Sequence, residues 1–197
     1  MNRRENEDAV IYFATEVLPG VAKVFPQVRF YVVGTNPSKR VRGLGSKDPR
    51  IVVTGYVERP STYFRRAALA VAPLRLGGGI KVKVLECLAH GLPMVLSPVA
   101  AEGIGGAPGR DYLVCERTAE YVESVCKLLS DRAFADAVGK AGNQLVETKF
   151  NFERSLDHLV DFCRQVAKAK RYCSVAGPSE RKHDSPSEQC GGAREGV

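Results

Sequence analysis

The stretch APLRLGGGIKVKVLECLAHGLPMV, Ala72 to Val95, holds a run of three glycines, two lysines and a single carboxylate, Glu86, between two apolar runs. LAVAPL, Leu69 to Leu74, is short and apolar and reads as a buried strand. Ile80 to His90 then supplies a helix, ended by Gly91 and Pro93. PMVLS, Pro93 to Ser97, is the following strand.

The same alternation extends outward from this unit. Upstream, DAVIYFATEVLPGVAKV (Asp8 to Val24) reads as helical in its first half, with Asp8 as a cap and Pro19-Gly20 as a break. VRFYVVG, Val28 to Gly34, is a β-branched and aromatic strand that leaves through glycine. TNPSKRVRGLGSKDPR follows, with five basic residues and one acid after Ser38, and reads as a basic loop with room for a short helix. IVVTG (Ile51 to Gly55) is a strand, and PSTYFRRA a short helix opened by Pro60 or Ser61. Downstream, YLVC (Tyr112 to Cys115) is a last strand, and helices are expected near Ala119 to Leu129, Arg132 to Val146 and Phe152 to Ala169.

Strands alternating with helices imply an α/β fold, a Rossmann-like parallel sheet with helices on both faces. The expected domain spans residues 1–169. From Lys170 the chain is mostly Ser, Gly, Pro and charge, so residues 170–197 are expected to form a disordered tail.

Composition narrows the function classes. With 197 residues, 44% of them hydrophobic, the chain is long enough for one domain with a real core. The formal charge is +7. The last 28 residues hold five Lys/Arg and four Asp/Glu, so about +6 belongs to the folded part. An anionic partner fits that excess. No apolar run approaches the roughly 18 residues a membrane span needs, and MNRRENEDAV has no signal-peptide core, so the chain reads as soluble and cytoplasmic. The six cysteines show no C-x-x-C pair and no His partner at metal-ligand spacing. They read as reduced thiols, and no metal site is expected.

Ligands of such a sheet gather at the carboxyl ends of its strands. Gly77, Gly78 and Gly79 lie in one of those exits, where a backbone without Cβ atoms can approach a ligand closely. The following helix, opening at Ile80 and Lys81, aims unpaired N–H groups and a partial positive charge the same way. Between Arg75 and Leu85 stand Arg75, Lys81 and Lys83 and no acid, which suits a diphosphate. Glu86 lies roughly 9 Å along the helix from Ile80. An attached ribose falls about that far from a diphosphate, and a carboxylate is the acceptor its vicinal hydroxyls require. The simpler alternatives are a flexible turn with solvated lysines, and a surface ion pair of Glu86 with Lys83.

PLRLGGGIKVKVLECLAHGLPMVLSPVAAEGI resembles the donor-binding signature of retaining GT-B glycosyltransferases of the group 1 (family 4) type, in the branch found in exopolysaccharide systems. NEDAVIYFATEVLPGVAKVFPQVRFYVVGTNP and IVVTGYVERPSTYFRRAALAVAPLR resemble earlier parts of the same domain, in the same order. The resemblance covers about Asn6 to Leu129 and makes the chain the C-terminal, donor-binding half of a GT-B fold. It implies a nucleotide diphosphate sugar as substrate, with no cofactor and no metal. Glu86 matches the second glutamate of the family's E-x7-E motif, which binds donor ribose. Gly77 to Gly79 with Ile80 and Lys81 match the loop at the diphosphate and sugar, and Gly55, Tyr56 and Val57 match the segment beside the base. Lys81 or Lys83 would add countercharge to the leaving diphosphate.

Two departures stand out. Gly78 occupies the position of the first glutamate of E-x7-E, so no residue of this chain is assigned as catalytic. A GT-B enzyme also has two Rossmann-like domains, and this chain matches the C-terminal one alone. The acceptor-binding domain and the upstream strand that usually carries an Arg/Lys clamp have no counterpart in it. The isolated chain is therefore expected to bind a nucleotide weakly and to transfer sugar slowly or not at all unless another polypeptide supplies a separate N-terminal domain. A truncated, non-catalytic nucleotide-binding or subunit module is the competing expectation.

Other residues carry weaker signals. His90 sits in a last helical turn, favourable with the dipole in any case. His158 and His183 receive no role. Glu102 either lines the donor pocket or is a solvated loop acid, and Asp111 has no evident partner in the sequence. VVGTNP lacks G-x-G-x-x-G, which argues against a dinucleotide enzyme. The basic segment from Lys39 to Arg50 lacks interleaved aromatics, so no nucleic-acid partner is expected. A peripheral membrane contact suits it better.

Overall fold

The computed structural model describes residues 3–150 and 160–167. In chain order these are α1 (Arg4–Tyr12), a π-helical segment (Phe13–Val17), α2 (Leu18–Val24), β1 (Phe30–Val33), α3 (Lys39–Lys47), β2 (Ile51–Gly55), α4 (Ser61–Phe64) and β3 (Ala70–Ala72). There follow α5 (Val82–Ala89), β4 (Met94–Leu96), α6 (Pro98–Ala101), β5 (Leu113–Val114), α7 (Thr118–Ser130) and α8 (Arg132–Lys149). Residues 160–167 form a helical stretch in a separate unit that begins at Phe152. The rest of the helix expected over Phe152 to Ala169, the tail 170–197, His158 and His183 lie outside the described residues.

All strand pairs are parallel, as βαβ succession requires. The ladders form two pieces, β1 with β2 and β3-β4-β5. β4 shows why both faces are covered. Its side chains alternate, so Val95 joins a core with Val17, Val21, Tyr121 and Val125, while Met94 and Leu96 join another with Val84, Leu88 and Tyr112. The α/β, Rossmann-like class expected from the sequence is the one observed.

The first helix differs from expectation at both ends. It starts at Arg4, with Asp8 inside it, and runs through Pro19-Gly20 to Val24. Pro19 has no N–H to give the preceding turn, and the π-helical segment just before it shifts the hydrogen-bond register. Gly20 is retained for space, since a Cβ there would meet Val122 of α7 at 2.7 Å. The basic segment is largely helical as α3, its N-terminus capped by Ser38, whose hydroxyl accepts from the Val41 N–H at 3.2 Å.

Asp111, without an evident partner in the sequence, is 2% exposed and well partnered. It accepts from Arg110 at 2.7 and 2.9 Å and from the Ala107 N–H at 2.8 Å. The Arg110 guanidinium holds its carboxyl below the ordinary value of 3.8. A depressed folded pKa gives stability that is present above the unfolded value and is lost as pH falls through the folded one. Asp111→Asn should therefore cost about 1–3 kcal/mol near neutrality. The gap from the parent should close below about pH 4, as thermal melts across pH will show.

Candidate donor-binding site

Sequence order alone decides where this site lies. β2 and β3 deliver their carboxyl ends to Gly55-Tyr56-Val57 and to the Gly77–Gly79 loop, and α5 leads away from that loop. Buried Ser97 ties the β3 and β4 exits together. Its hydroxyl donates to the Leu74 carbonyl at 2.5 Å and accepts from the Ala100 N–H at 3.0 Å, capping α6. The Ser-Pro pair, an N-cap followed by proline at N1, was the available signal for that unexpected helix.

The glycine loop is exposed, with φ of +111° at Gly77 and +70° at Gly79. A Cβ on Gly79 would meet nothing within 4 Å. The requirement for glycine there is conformational, and Gly79→Ala should cost about 1 kcal/mol through the left-handed backbone alone. A denaturant melt checks this.

The helix opens later than expected, at Val82, with Lys81 as its N-cap and no side-chain cap on its first amides. Ile80 belongs to the loop, half exposed, and packs beside Gly103. Loop glycines in the left-handed region delay helix entry until Lys81. The Lys81 side chain is only 10% exposed; its ammonium donates to the Gly79 carbonyl at 2.5 Å and lies 3.9 Å from Glu102. Glu102 thus faces the loop across Lys81.

The three basic residues of the stretch take different positions. Arg75 turns away from the loop to Asp8 of α1, donating to both carboxylate oxygens at 2.9 and 2.5 Å, with its guanidinium 4.9 Å from the Tyr12 ring centroid. Its hydrogen bonds hold the Asp8 carboxyl below the ordinary range. Lys83 donates to the Asn6 side-chain carbonyl, and desolvation lowers its pKa. Of the three, Lys81 is the one held at the glycine loop.

Glu86 projects from the second turn of α5 and is exposed, although its neighbours Cys87 and Leu88 are buried. Among the described residues its carboxylate makes no ion pair or hydrogen bond, because Lys83 is engaged with Asn6. Glu86 shares one cavity, about 940 Å³, with Tyr56, Val57, Gly34 and Thr35. Tyr56 is 75% exposed. Gly77, Gly78, Gly79, Ile80, Lys81 and Gly55 are not in that lining. Sequence reasoning missed Gly34 and Thr35, although the glycine exit of VRFYVVG marked that strand end.

His90 ends α5; its Nδ1 lies 2.8 Å from the Glu86 carbonyl and its ring meets Phe64 edge-on. Cys87, Cys115, Cys126 and Cys163 are free thiols, and burial pushes Cys87 up to about 11. Among the described residues no cluster of three His, Cys, Asp or Glu side chains could hold a metal, and no helix is long and apolar enough to cross a membrane.

A family model described as group 1 glycosyl transferases matches residues 1–131. The chain belongs to the group 1 glycosyl transferases. Solved structures of glycosyltransferases share its fold. Sucrose-phosphate synthase from Thermosynechococcus elongatus superposes with a TM-score of 0.67 at 23% identity, over 86% of this chain and 44% of that one. A variant of S. aureus TarM in complex with fondaparinux, α-GlcNAc-glycerol and UDP gives 0.67 at 15% identity, over 81% and 33%. The C-terminal domain of a group 1 family protein, LpcC, from Francisella tularensis gives 0.62 at 17% identity, over 76% and 82%. This chain thus spans less than half the length of the first two and most of an isolated C-terminal domain. No curated protein matches the sequence.

Proposed function

We propose that the chain is the donor-binding half of a retaining glycosyltransferase, holding a nucleotide diphosphate sugar at the carboxyl ends of β1, β2 and β3. The observation that carries this reading is Glu86, an exposed and unpaired carboxylate that shares one cavity with Tyr56 and Val57. Glu86 accepts the two ribose hydroxyls, main-chain groups of Gly55, Tyr56 and Val57 read the base edge, and the amides from Gly77 to Lys81 receive the diphosphate. TarM and the pneumococcal O-GlcNAc transferase GtfA, both of this fold, have been seen with UDP, which supports a nucleoside diphosphate as the shared ligand.

Sugar transfer requires that negative charge on the departing diphosphate be stabilised while an acceptor hydroxyl is held at the anomeric carbon. The loop amides and Lys81 meet the first requirement electrostatically, with no metal or cofactor involved. Acceptor positioning falls to an N-terminal GT-B domain, so the chain alone binds donor and transfers sugar slowly or not at all. The acceptor is a glycoconjugate or polysaccharide precursor. The exposed Lys39, Arg40, Arg42 and Lys47 of α3 suit a peripheral contact with anionic lipid.

Uridine or guanosine diphosphate should raise the melting temperature, because a ligand of the native state alone stabilises by RT ln(1 + [L]/Kd). Glu86→Ala should remove the shift. No shift with any nucleoside diphosphate would refute the reading. Binding without turnover, even when an N-terminal domain is supplied, would instead favour the non-catalytic module, whose sequence signal is Gly78 in the place of the first glutamate.

A further inference from the structure

The donor reading leaves one end of its ligand without a partner. Glu86 and the base segment serve the nucleoside, and the amides of the glycine loop serve the diphosphate. A sugar beyond the diphosphate needs acceptors for its hydroxyls, and Gly77, Gly78 and Gly79 bring no side chain to it.

The segment that packs against the loop supplies an acceptor. Glu102 is the C-cap of α6, with φ of −55° and ψ of 128°. Ala100 and Ile104, two residues to either side, are both fully buried. The acid is thus carried between two anchored positions, and the Ser97 cap fixes the start of the same short helix. Gly103 turns the chain at φ of +74°, and a Cβ there would lie 2.8 Å from the Ile80 side chain. Glycine at 103 therefore lets the Glu102 turn close directly onto the loop.

The carboxylate is available where it stands. Its side chain is 56% exposed, and among the described residues it accepts no hydrogen bond. It meets Lys81 Nζ at 3.9 Å, an ion pair long enough to leave its acceptor sites free. Lys81 is held independently by the Gly79 carbonyl. Its ammonium, beside both the loop and Glu102, offsets the repulsion between the carboxylate and a bound diphosphate. Glu86 lies about 7.5 Å further along the helix axis from Lys81. It lines a cavity that includes neither Lys81 nor Glu102. The two carboxylates therefore stand at different ends of the proposed diphosphate position.

We propose that Glu102 is a specificity-determining residue of the sugar subsite, its carboxylate accepting hydrogen bonds from two adjacent hydroxyls of the transferred sugar. The inference rests on the donor reading and deepens it. The substrate class it names is a nucleotide sugar whose glycosyl group keeps neighbouring free hydroxyls. Hydrogen bonds to a charged acceptor are roughly twice as strong as neutral ones, so removing the charge at 102 weakens the hold on the sugar while the nucleoside diphosphate stays bound. A role confined to holding Lys81 predicts the opposite, a loss felt by the diphosphate itself.

The test is calorimetric titration of the full chain and its Glu102→Gln and Glu102→Ala variants with UDP, UDP-glucose, UDP-galactose, UDP-N-acetylglucosamine, GDP and GDP-mannose. For the nucleotide sugar that the parent binds most tightly, the ratio of its Kd to that of the matching diphosphate should rise about tenfold in Glu102→Gln, and further in Glu102→Ala. The diphosphate Kd and the melting temperature of the free chain should stay at the parent's values. An unchanged ratio would overturn the inference. So would an equal loss for diphosphate and nucleotide sugar, which would make Glu102 a support for Lys81. Binding of UDP or GDP by the parent with rejection of every nucleotide sugar would overturn it as well. If the parent binds neither diphosphate, the donor reading itself fails and the inference falls with it.

Discussion

Glu86→Ala should weaken nucleoside diphosphate binding about a hundredfold, and Glu86→Gln about tenfold, while the free protein melts where the parent does. A hydrogen bond to a charged group contributes about 1.5–3 kcal/mol, and each 1.4 kcal/mol is a factor of ten in Kd. In the proposed site alanine would remove the acceptor for both ribose hydroxyls, whereas glutamine would keep one oxygen and lose the charge. The free protein is indifferent because the carboxylate is exposed and makes no ion pair or hydrogen bond among the described residues. Calorimetric titration with the diphosphate and a thermal melt separate the two effects. Unchanged affinity in both variants would remove Glu86 from the site, and a lowered melting temperature without ligand would make it a structural residue.

Gly139→Ala should destabilise the protein by about 2–3 kcal/mol, against the direction helix propensity gives. Within a helix, alanine is favoured over glycine by about 1 kcal/mol. Gly139 of α8, however, faces the end of α5, where an added Cβ would lie 2.1 Å from the Gly91 carbonyl oxygen. The obstacle is backbone, so α8 must move and the core around Leu88 and Val138 must repack, which overpacking series place at 1–3 kcal/mol or more. Gly43 of α3 supplies the opposite case. Its Cβ would meet nothing within 4 Å, so Gly43→Ala should stabilise by about 0.5–1 kcal/mol. Denaturant unfolding of the pair checks both signs, and a neutral Gly139→Ala would mean that α8 is loosely held.

Strand positions were the most legible part of the sequence, because buried parallel strands are short β-branched runs and four of the five here end in glycine, proline or serine. VRFYVVG, IVVTG, LAVAPL, PMVLS and YLVC each contain the observed strand. Helix boundaries were less legible where tertiary packing overrides local propensity. Pro19-Gly20 reads as a stop, yet Gly20 serves close packing against Val122 and Pro19 is accommodated by the π-helical segment. Arg75 reads as a phosphate ligand beside the glycines, but its ion pair with Asp8 joins residues far apart in sequence, a pairing that periodicity cannot reveal. Glu86 was singled out by its spacing from the glycine loop. Its freedom from Lys83 became visible only with Asn6 in place. The split of the sheet could not be read at all, since it depends on which strands are neighbours.

In the proposed complex a nucleoside diphosphate sits across the carboxyl ends of β2 and β3 with its ribose at α5. Backbone amide shifts of 15N-labelled protein titrated with UDP test it most directly. Saturable shifts are expected at Gly55 to Val57, Gly77 to Lys81 and Glu86, with the region of Asp136, Lys140 and Asn143 at the far end of α5 unchanged. Shifts confined to that far end, or none at saturating UDP, would contradict it.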